Sequence, residues 1–217
     1  MLSTHPEIVA TDGVYPPSED SDLLLSAIEI HPDETVLDMG TGSGFLAIES
    51  ARGGGIVTAV DIAEEAIVCA RKNAELNGVD PDVIRFLRSD LFAYPQLSGD
   101  IPERFDVILF NAPYLPTEEW SEDNEGDRTW NGGGDGSETI RRFLEQLPEH
   151  IGKRCYLLFS SLSGKGQTTM AELMRGRLLF HEVARKKLFF ETLFVYEIFP
   201  TTPPPLLSDP PAHHQIH

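Results

Sequence analysis

The sequence has few lysines and no long apolar run, and each shortage counts against a class of protein. Only five of the 17 basic residues are lysines, against 35 acidic residues, and the net charge is −18. A field this negative repels phosphate backbones at ordinary ionic strength and argues against a nucleic-acid-binding surface. No segment approaches the roughly 18 consecutive apolar residues of a membrane helix. The N-terminal stretch "MLSTHPEIVATDGVYPP" lacks the basic flank and apolar region of a signal peptide, and we expect a cytoplasmic protein.

The acidity of the chain has an interpretation in terms of solvent. A surface rich in Asp and Glu and poor in Lys is typical of proteins from salt-loaded cytoplasms. Molar salt shortens the Debye length to about 3 Å, so the repulsion among surface carboxylates becomes tolerable. We therefore interpret the net charge of −18 as halophilic adaptation. The expected consequence is that low salt destabilises the protein.

The length and composition otherwise indicate one globular domain. The 217 residues are 41% hydrophobic and 24% charged, which is enough to bury a sizeable core. Cys69 and Cys155 have no metal-ligating neighbours in the sequence, and we expect two reduced, buried thiols. We predict one domain over residues 1–199 and a Pro-rich, disordered tail over 200–217. Histidines in the tail could bind a metal in principle, but we expect none there.

Strand-like and helix-like segments alternate along the chain. Apolar runs predict strands over residues 34–40, 55–62, 83–92, 104–114 and 155–162, and two antiparallel strands within 181–199. Helical spacing predicts helices over 20–30, 44–52, 63–78, 137–151 and 166–177, with Ser137 as an N-cap. This alternation predicts an α/β fold, a single doubly wound, mostly parallel seven-stranded sheet with an antiparallel final strand. Ligands then bind at the carboxyl ends of the strands.

A glycine-rich loop, "VLDMGTGSGFLAI", joins the first predicted strand to a helix. Its pattern is D-x-G-x-G-x-G, which differs from the nicotinamide fingerprint G-x-G-x-x-G because Phe45 stands where the third glycine would fall. Gly40, Gly42 and Gly44 let the backbone approach a ligand closely. Asp38 offers a carboxylate near the end of the strand, which suits an amino-bearing ligand better than a phosphate.

Acids also end the next two strands. Asp61 stands 21 residues after Gly40, where an acid typically binds ribose hydroxyls. Asp90 could accept a hydrogen bond from an adenine amino group. An amino-acid end, a ribose and an adenine without a phosphate describe S-adenosylmethionine, and we predict this cofactor. The alternative is that the glycines form only tight turns and the acids are solvated.

The stretch "FNAPYLP" (110–116) follows the apolar run "FDVILF" and differs at one position from Asn-Pro-Pro-Tyr. With this motif the chain resembles class I S-adenosylmethionine-dependent methyltransferases, and more narrowly the HemK/PrmC family, which methylates the glutamine amide of the Gly-Gly-Gln motif in class I release factors. The segment "VYPPSEDSDLLLSAI" (14–28) resembles the V-Y-x-P-x-E-D opening of the short archaeal and eukaryotic branch of this family. The segment "WNGGGDGSETIRRFL" (130–144) resembles its W-x-G-G-x-D-G helix start. The resemblance runs from about residue 12 to 199, so the domain predicted over 1–199 is a methyltransferase domain.

The resemblance implies that the predicted catalytic residues are Asn111, Ala112, Pro113 and Tyr114. An amide nitrogen is a poor nucleophile, and the enzyme must hold it in line with the methyl donor. The Asn111 side-chain oxygen and the backbone carbonyl of Ala112 could accept its two hydrogens, while Tyr114 stacks on the flat amide. Because position 112 supplies only a carbonyl, Ala is tolerable there. Pro113 still favours extended geometry at 112, and we expect Ala112→Pro to preserve or raise activity.

The resemblance extends the cofactor site to the segment before the first helix. Ser21 would contact the cofactor, with Glu19 and Asp20 shaping that side of the site; alternatively, residues 19–21 simply cap the helix. Tyr15 and Pro16 would pack near the entrance. The predicted cofactor-binding residues are Ser21, Asp38, Gly40, Gly42, Gly44, Asp61, Asp90, Leu91 and Asn111.

The short branch also implies a partner. A small zinc-binding activator protein would pair with the sheet edge at the third strand, "VIRFL" (83–87), to form a heterodimer. The alternative is an ordinary edge strand protected by Arg85 and Arg88.

A segment rich in acids, 118–138, reads as a mobile lid or a solvated loop, in which Trp120 and Trp130 contact substrate or merely anchor the loop. Three other functions remain open for the chain. They are adenine N6 methylation of a nucleic acid, lysine methylation of a protein, and a non-catalytic scaffold for the zinc-binding partner. The charge of −18 and the lack of a target-recognition domain argue against the first, and the intact cofactor acids argue against the third.

Overall fold

The computed structural model describes residues 5–80, 82–94, 101–113, 138–163 and 178–201. Its strands are β1 (Thr35–Met39), β2 (Ile56–Asp61), β3 (Ile84–Arg88), β4 (Phe105–Asn111), β5 (Ile151–Ser160), β6 (Leu178–Lys187) and β7 (Thr192–Pro200). Its helices are α1 (Glu19–Ala27), α2 (Phe45–Arg52), α3 (Glu64–Leu76) and α4 (Glu138–His150). The helix predicted over 166–177, the N-cap Ser137 and nearly all of the predicted tail lie outside the described residues.

The strands form one sheet in the order β3-β2-β1-β4-β5-β7-β6. Neighbouring strands from β3 to β5 are parallel, whereas β7 is antiparallel to both β5 and β6. The predicted doubly wound sheet with an antiparallel final strand is therefore confirmed. The order reverses direction between β1 and β4, and a reversal of this kind opens a crevice at the carboxyl ends of the two strands.

The two faces of the sheet are covered by different helices because strand side chains alternate in direction. On one face, Leu37 of β1 and Ile108 of β4 share a core with Phe143 and Leu147 of α4. On the other face, the core includes residues from β1 and β4 together with α1, α2 and α3: Val36, Leu109, Leu24, Ile48 and Ala70. Strands buried on both faces read as continuous apolar runs, which is why "FDVILF" could be recognised from sequence. Cys69 and Cys155 are buried free thiols, as predicted.

The start of β5 differs from the sequence prediction. The strand begins at Ile151, directly after α4, rather than at Cys155. Its first residues, "IGKR", carry two charged side chains and a glycine, which hid the strand. Ile151 pairs with Phe105 and the register then shifts, and a Cβ on Gly152 would lie 2.7 Å from the Phe105 carbonyl oxygen. Only a glycine fits this close backbone approach.

Helix α3 shows how local signals position the site. Glu64 and Glu65 occupy its first turn, where they complement the helix dipole. Gly78 follows its end at φ +65°, and its N–H bonds to the Glu75 carbonyl while that of Val79 bonds to Ala74. This pattern is a Schellman motif, which ends the helix with its carbonyls satisfied. None of the helices in the described part of the chain combines the length and apolar character needed to cross a membrane.

Candidate active site

A cavity of about 400 Å³ lies at the carboxyl ends of β1 and β4, where the strand order reverses. Such switch points are where open α/β sheets bind ligands. The predicted site residues that line it are Ser21, Gly40, Gly42, Asp61, Asp90, Leu91, Asn111, Ala112 and Pro113. Tyr114 lies outside the described residues, as do Trp120, Trp130 and all of the predicted acidic loop except Glu138.

Gly40 and Gly42 bring the backbone to the cavity wall, at φ +66° and +54°. Gly44, predicted to bind the cofactor, does not line the cavity. It sits at φ +84°, and a Cβ there would lie 2.9 Å from the Ala70 Cβ. The third glycine of the loop therefore lets α2 and α3 pack together, and its role in the site is indirect.

Asp38, also predicted to bind the cofactor, lies beneath the glycine loop. Its side chain is 1% exposed and does not line the cavity. Its Oδ2 accepts a hydrogen bond from Thr41 Oγ1 at 2.7 Å, and the Ala47 N–H in the first turn of α2 bonds to the same carboxylate. Burial, reinforced by the charge of Asp61, raises the pKa of Asp38 to about 7. The carboxylate thus anchors the glycine loop and the start of α2 from below.

Asp61 reaches the cavity from the end of β2. Its Oδ2 accepts the Gly42 N–H at 3.0 Å and its Oδ1 accepts the Ala63 N–H at 3.0 Å. Burial raises its pKa, while these two hydrogen bonds favour its ionised form. Each carboxylate oxygen retains acceptor capacity beyond these bonds, so the side chain can still bind hydroxyl groups.

Asp90 and Leu91 form another part of the wall. Asp90 Oδ2 accepts a hydrogen bond from Arg142 Nη2 of α4 at 2.8 Å, with both side chains nearly half exposed. The Ser89 hydroxyl donates to the Leu91 carbonyl, and Leu91 adopts φ +50°. Asp90, the predicted acceptor for the adenine amino group, therefore also binds α4 at the edge of the cavity through Arg142.

Asn111 ends β4 inside the cavity. Its Nδ2 donates to Asp20 Oδ2 at 3.1 Å, whereas its Oδ1 is buried without a hydrogen-bond partner in the described structure. The Ala112 N–H, which a proline would lack, donates to the Leu158 carbonyl at 3.2 Å. The extra backbone N–H that alanine brings to this position therefore has a hydrogen-bond acceptor in β5.

The segment before α1 and the first turn of α1 contribute one wall of the cavity. Tyr15, Pro17, Asp20 and Ser21 line it, whereas the predicted Pro16 and Glu19 do not. Glu19 instead pairs with Lys186 Nζ at 3.2 Å. Ser18 is the N-cap residue and makes no side-chain capping bond. Asp20 Oδ1, by contrast, accepts the Ser21 N–H of the first turn, so Asp20 lines the cavity and also satisfies a helix-terminal donor. The Ser18 hydroxyl also bonds to Asp20.

Sequence reasoning missed three residues that hold the site together. Thr41 bonds to Asp38, Arg142 bonds to Asp90, and the Asn73 side chain of α3 donates to the Ser43 carbonyl of the glycine loop at 2.9 Å. Asn73 is 1% exposed and also bonds to the backbone of Val9. A signal for it existed, since it is an amide on a helix face otherwise made of Ala, Ile and Cys.

Comparisons with known proteins agree with this geometry. A family model described as a methyltransferase domain matches residues 30–185. A Methanocaldococcus jannaschii protein named as a protein N5-glutamine methyltransferase is 39% identical over 201 residues, covering 89% of this chain and 92% of that protein. The release factor glutamine methyltransferase of Bacillus cereus is 35% identical over 155 residues, 66% of this chain. The chain spans about half of that bacterial relative, with 53% of its length covered.

A solved structure is also similar. It is the E. cuniculi Mtq2–Trm112 complex, described as responsible for the methylation of the termination factor eRF1, with a TM-score of 0.66 and 25% identity over 87% of this chain and 99% of that one. The fold, the strand-end cavity and the matching family model together define an S-adenosylmethionine-dependent methyltransferase of class I. Within that class, the chain belongs to the HemK/PrmC family.

The cavity wall fits S-adenosylmethionine. Gly40 and Gly42 leave room for a ligand against the backbone, and Asp61 retains acceptors for hydroxyl groups. Asp38 and Asp61 bring two carboxyl groups to the glycine loop with no cationic side chain facing them in the described structure, which suits a cationic ligand better than a phosphate. A volume of about 400 Å³ is within the ordinary range of small-molecule sites.

Proposed function

We propose that this chain methylates the side-chain amide nitrogen of the glutamine in the Gly-Gly-Gln motif of a class I release factor. The observation that carries the proposal is the Asn111 side chain: the residue lines the cavity, and its buried Oδ1 has no hydrogen-bond partner in the described structure. An amide NH₂ group is a donor that suits such an acceptor. The names of the relatives in M. jannaschii and B. cereus support the same reaction.

The cofactor residues have distinct roles in this proposal. S-adenosylmethionine supplies an electrophilic methyl group and a neutral leaving group when it is bound. Asp61 binds the ribose hydroxyls, Asp90 accepts from the adenine amino group, and Leu91 packs at the same end of the cavity. Gly40 and Gly42 accommodate the amino-acid end, with Ser21 on the opposite wall. Asp38 keeps the glycine loop in place and attracts a cation through its charge.

The chain's contribution to the reaction is mainly positioning. Asn111 Oδ1 accepts one hydrogen of the substrate amide and the Ala112 carbonyl accepts the other, which enriches the nitrogen and holds it in line. Pro113 keeps the backbone extended, and Tyr114 stacks on the amide plane and excludes water. No dedicated base is needed, because the nitrogen becomes acidic once it carries the methyl group.

A labelling experiment tests this function. The protein is incubated in high salt with labelled S-adenosylmethionine, a candidate activator and a class I release factor. Label should appear on the factor and be lost when the Gly-Gly-Gln glutamine is replaced by alanine. Label on nucleic acid or on a lysine of the factor, with the glutamine unmodified, would overturn the proposal.

A small zinc-binding activator at the β3 edge is the proposed partner. β3 is the last strand on its side of the described sheet, and its only described strand neighbour is β2. The structural relative Mtq2 was solved as a complex with Trm112, which supports a partner of this kind. Hydrogen–deuterium exchange tests the surface: adding the activator should protect the amides of Ile84–Arg88, and unchanged exchange there would contradict the assignment.

The proposed setting is a salt-rich cytoplasm, where release factors act. The charge of −18 supports this setting, because screening by salt reduces carboxylate repulsion. The melting temperature should rise between dilute buffer and molar KCl. A melting temperature that does not move would argue against halophilic adaptation.

A further inference from the structure

The side chain of Asn111 has two ends with opposite environments. Its Nδ2 donates to the Asp20 carboxylate at 3.1 Å, and its Oδ1 is buried without a hydrogen-bond partner in the described structure. An unpaired buried acceptor is unfavourable by about 1–3 kcal/mol, so one that persists is a candidate binding atom.

Asp20 determines which end of the Asn111 amide is paired and which is left without a partner. The oxygen and the NH₂ group of an asparagine have nearly the same size, and neighbouring hydrogen bonds decide their orientation. An ionised carboxylate only accepts hydrogen bonds. The reversed amide would set its oxygen against Asp20 Oδ2, with two acceptors about as far apart as the 3.1 Å that now separates donor and acceptor. Asp20 therefore selects the orientation in which Oδ1 is left for a ligand.

Asp20 is itself firmly held. Its Oδ1 accepts the Ser21 N–H at 2.6 Å and the Ser18 hydroxyl at 2.7 Å, and the Ser18 oxygen lies 2.6 Å from the Tyr15 hydroxyl. The residue is 3% exposed. These bonds fix Oδ1 and leave Oδ2 directed at Asn111. The sequence "VYPPSEDS" thus builds a chain of hydrogen bonds that ends at the predicted catalytic residue.

We propose that Asp20 is a positioning residue that locks the Asn111 amide so that the site accepts only a nucleophile that donates N–H groups. The proposal rests on the proposed function and identifies what restricts its substrate class. A carboxamide donates to Asn111 Oδ1, whereas a carboxylate in its place would meet an acceptor. The negative charge of Asp20 also polarises the Asn111 amide and strengthens Oδ1 as an acceptor.

The substitution that tests the proposal is Asp20→Asn. It keeps the size of the side chain but can donate as well as accept, so both orientations of the Asn111 amide become possible. With the release factor as substrate, kcat should fall by about 10–100-fold, while KM and the donor Kd stay within about threefold. Asp22→Asn is the matched control, because Asp22 is an exposed acid of the same helix, and it should leave kcat unchanged.

A spectroscopic measurement makes the test independent of the substrate. In the free protein, the ¹⁵N-labelled side-chain amide of Asn111 should show one proton shifted downfield and slow to exchange, because it donates to a carboxylate. Asp20→Asn should remove that signature and Asp22→Asn should keep it. If the release factor is not the substrate, the amide signal still reports the lock, so the two proposals fail separately.

Two results would overturn the inference: an Asn111 amide signal unaffected by Asp20→Asn, or a variant that raises KM with kcat unchanged. Should Asp20→Asn fail to fold, Ser18→Ala carries the test, since Ser18 does not line the cavity but holds Asp20 Oδ1. Ser18→Ala should lower kcat severalfold and weaken the exchange protection of the same amide proton. No change in either quantity would equally reject the lock.

Discussion

The buried acids at the two ends of the parallel strands differ in whether they pair with cationic side chains. At the carboxyl ends, Asp38 and Asp61 face no cationic side chain in the described structure, and burial raises the pKa of both. At the amino ends, Glu34 is equally inaccessible, but it accepts hydrogen bonds from Arg154 at 2.6 Å and Lys153 at 3.2 Å. Burial alone would raise its pKa; the bonds from Arg154, the His31 backbone and Lys153 outweigh it and lower the pKa to about 2.

This difference separates function from stability along the same strands. An acid that is already paired stabilises the fold and has little capacity for a ligand. An acid left unpaired in a cavity is unfavourable in the free protein, and a cationic ligand relieves that cost. Substitutions at the carboxyl ends should therefore change activity first, and substitutions at the amino ends should change stability first.

The largest effect should come from Asn111→Ala. It removes the acceptor proposed for the substrate amide, and loss of one such preorganised partner typically lowers kcat by about 100-fold or more. The donor Kd, measured by calorimetry, should change by less than about twofold. Asp61→Asn is the complementary variant, and it should weaken donor binding instead. Equal losses of donor binding in both variants would erase the distinction between substrate and cofactor contacts.

Glu34→Gln should give the next largest effect, on stability. The lowered pKa corresponds to stabilisation on the order of 1–3 kcal/mol at pH 7 once solvent screening at the half-exposed Lys153 is allowed for, and urea unfolding measures it. Because the folded pKa lies below the usual 4.5, this stabilisation is present above pH 4.5 and is lost as the pH falls towards 2. Glu34→Gln should flatten the unfolding profile in that window and leave kcat per folded molecule unchanged. A large change in kcat would break the comparison between the two ends.

Asp38 should contribute the opposite pH dependence of stability, and Asp38→Asn should remove it. The folded pKa of about 7 lies above the usual 3.8, so the wild-type free protein loses stability as pH rises from about 4 to 7. The variant should lack that loss. As the pH rises towards 7, the affinity of the wild type for the donor should increase by up to about tenfold per pH unit. Above pH 7 it should level off, because a cationic donor favours ionised Asp38. A variant whose donor affinity keeps this pH dependence would show that another group is responsible.

The smallest effect is expected from Ala112→Pro. The sequence predicts preserved or raised activity, but the Ala112 N–H donates to the Leu158 carbonyl in the structure. Losing this bond should destabilise the protein by about 1 kcal/mol while activity is kept. Thermal unfolding and a methyl-transfer assay measure the two quantities separately. Abolished activity in a folded variant would contradict the role of position 112 as a backbone acceptor.

Much of the fold could be predicted because β1, β2 and β4 are buried on both faces and therefore read as apolar runs. The site could be predicted for a related reason. Parallel strands bring their carboxyl ends to one edge, so Gly40, Asp61 and Asn111 had to converge there. The start of β5 could not be predicted, since charged residues and a close backbone contact obscure the strand.

The roles of individual site residues depend on direction and on distant partners, which spacing does not reveal. Met39 lines the cavity while Asp38 points under the loop, because neighbours on a strand face opposite ways. The role of Gly44 depends on its contact with Ala70, and the orientation of the Asn111 side chain depends on Asp20, which is 91 positions away in the sequence. Tertiary contacts of this kind have no local signature.

The bond between Asp20 and Asn111 also restricts how the sequence can diverge. A homologue that carries aspartate at the position of Asn111 would place two carboxylates about 3 Å apart if it kept an acid at position 20. The two positions should therefore covary: an acid at one excludes an acid at the other. A lineage that evolves towards another substrate nucleophile by replacing Asn111 with aspartate must therefore also replace Asp20 in the first turn of α1, either beforehand or at the same time.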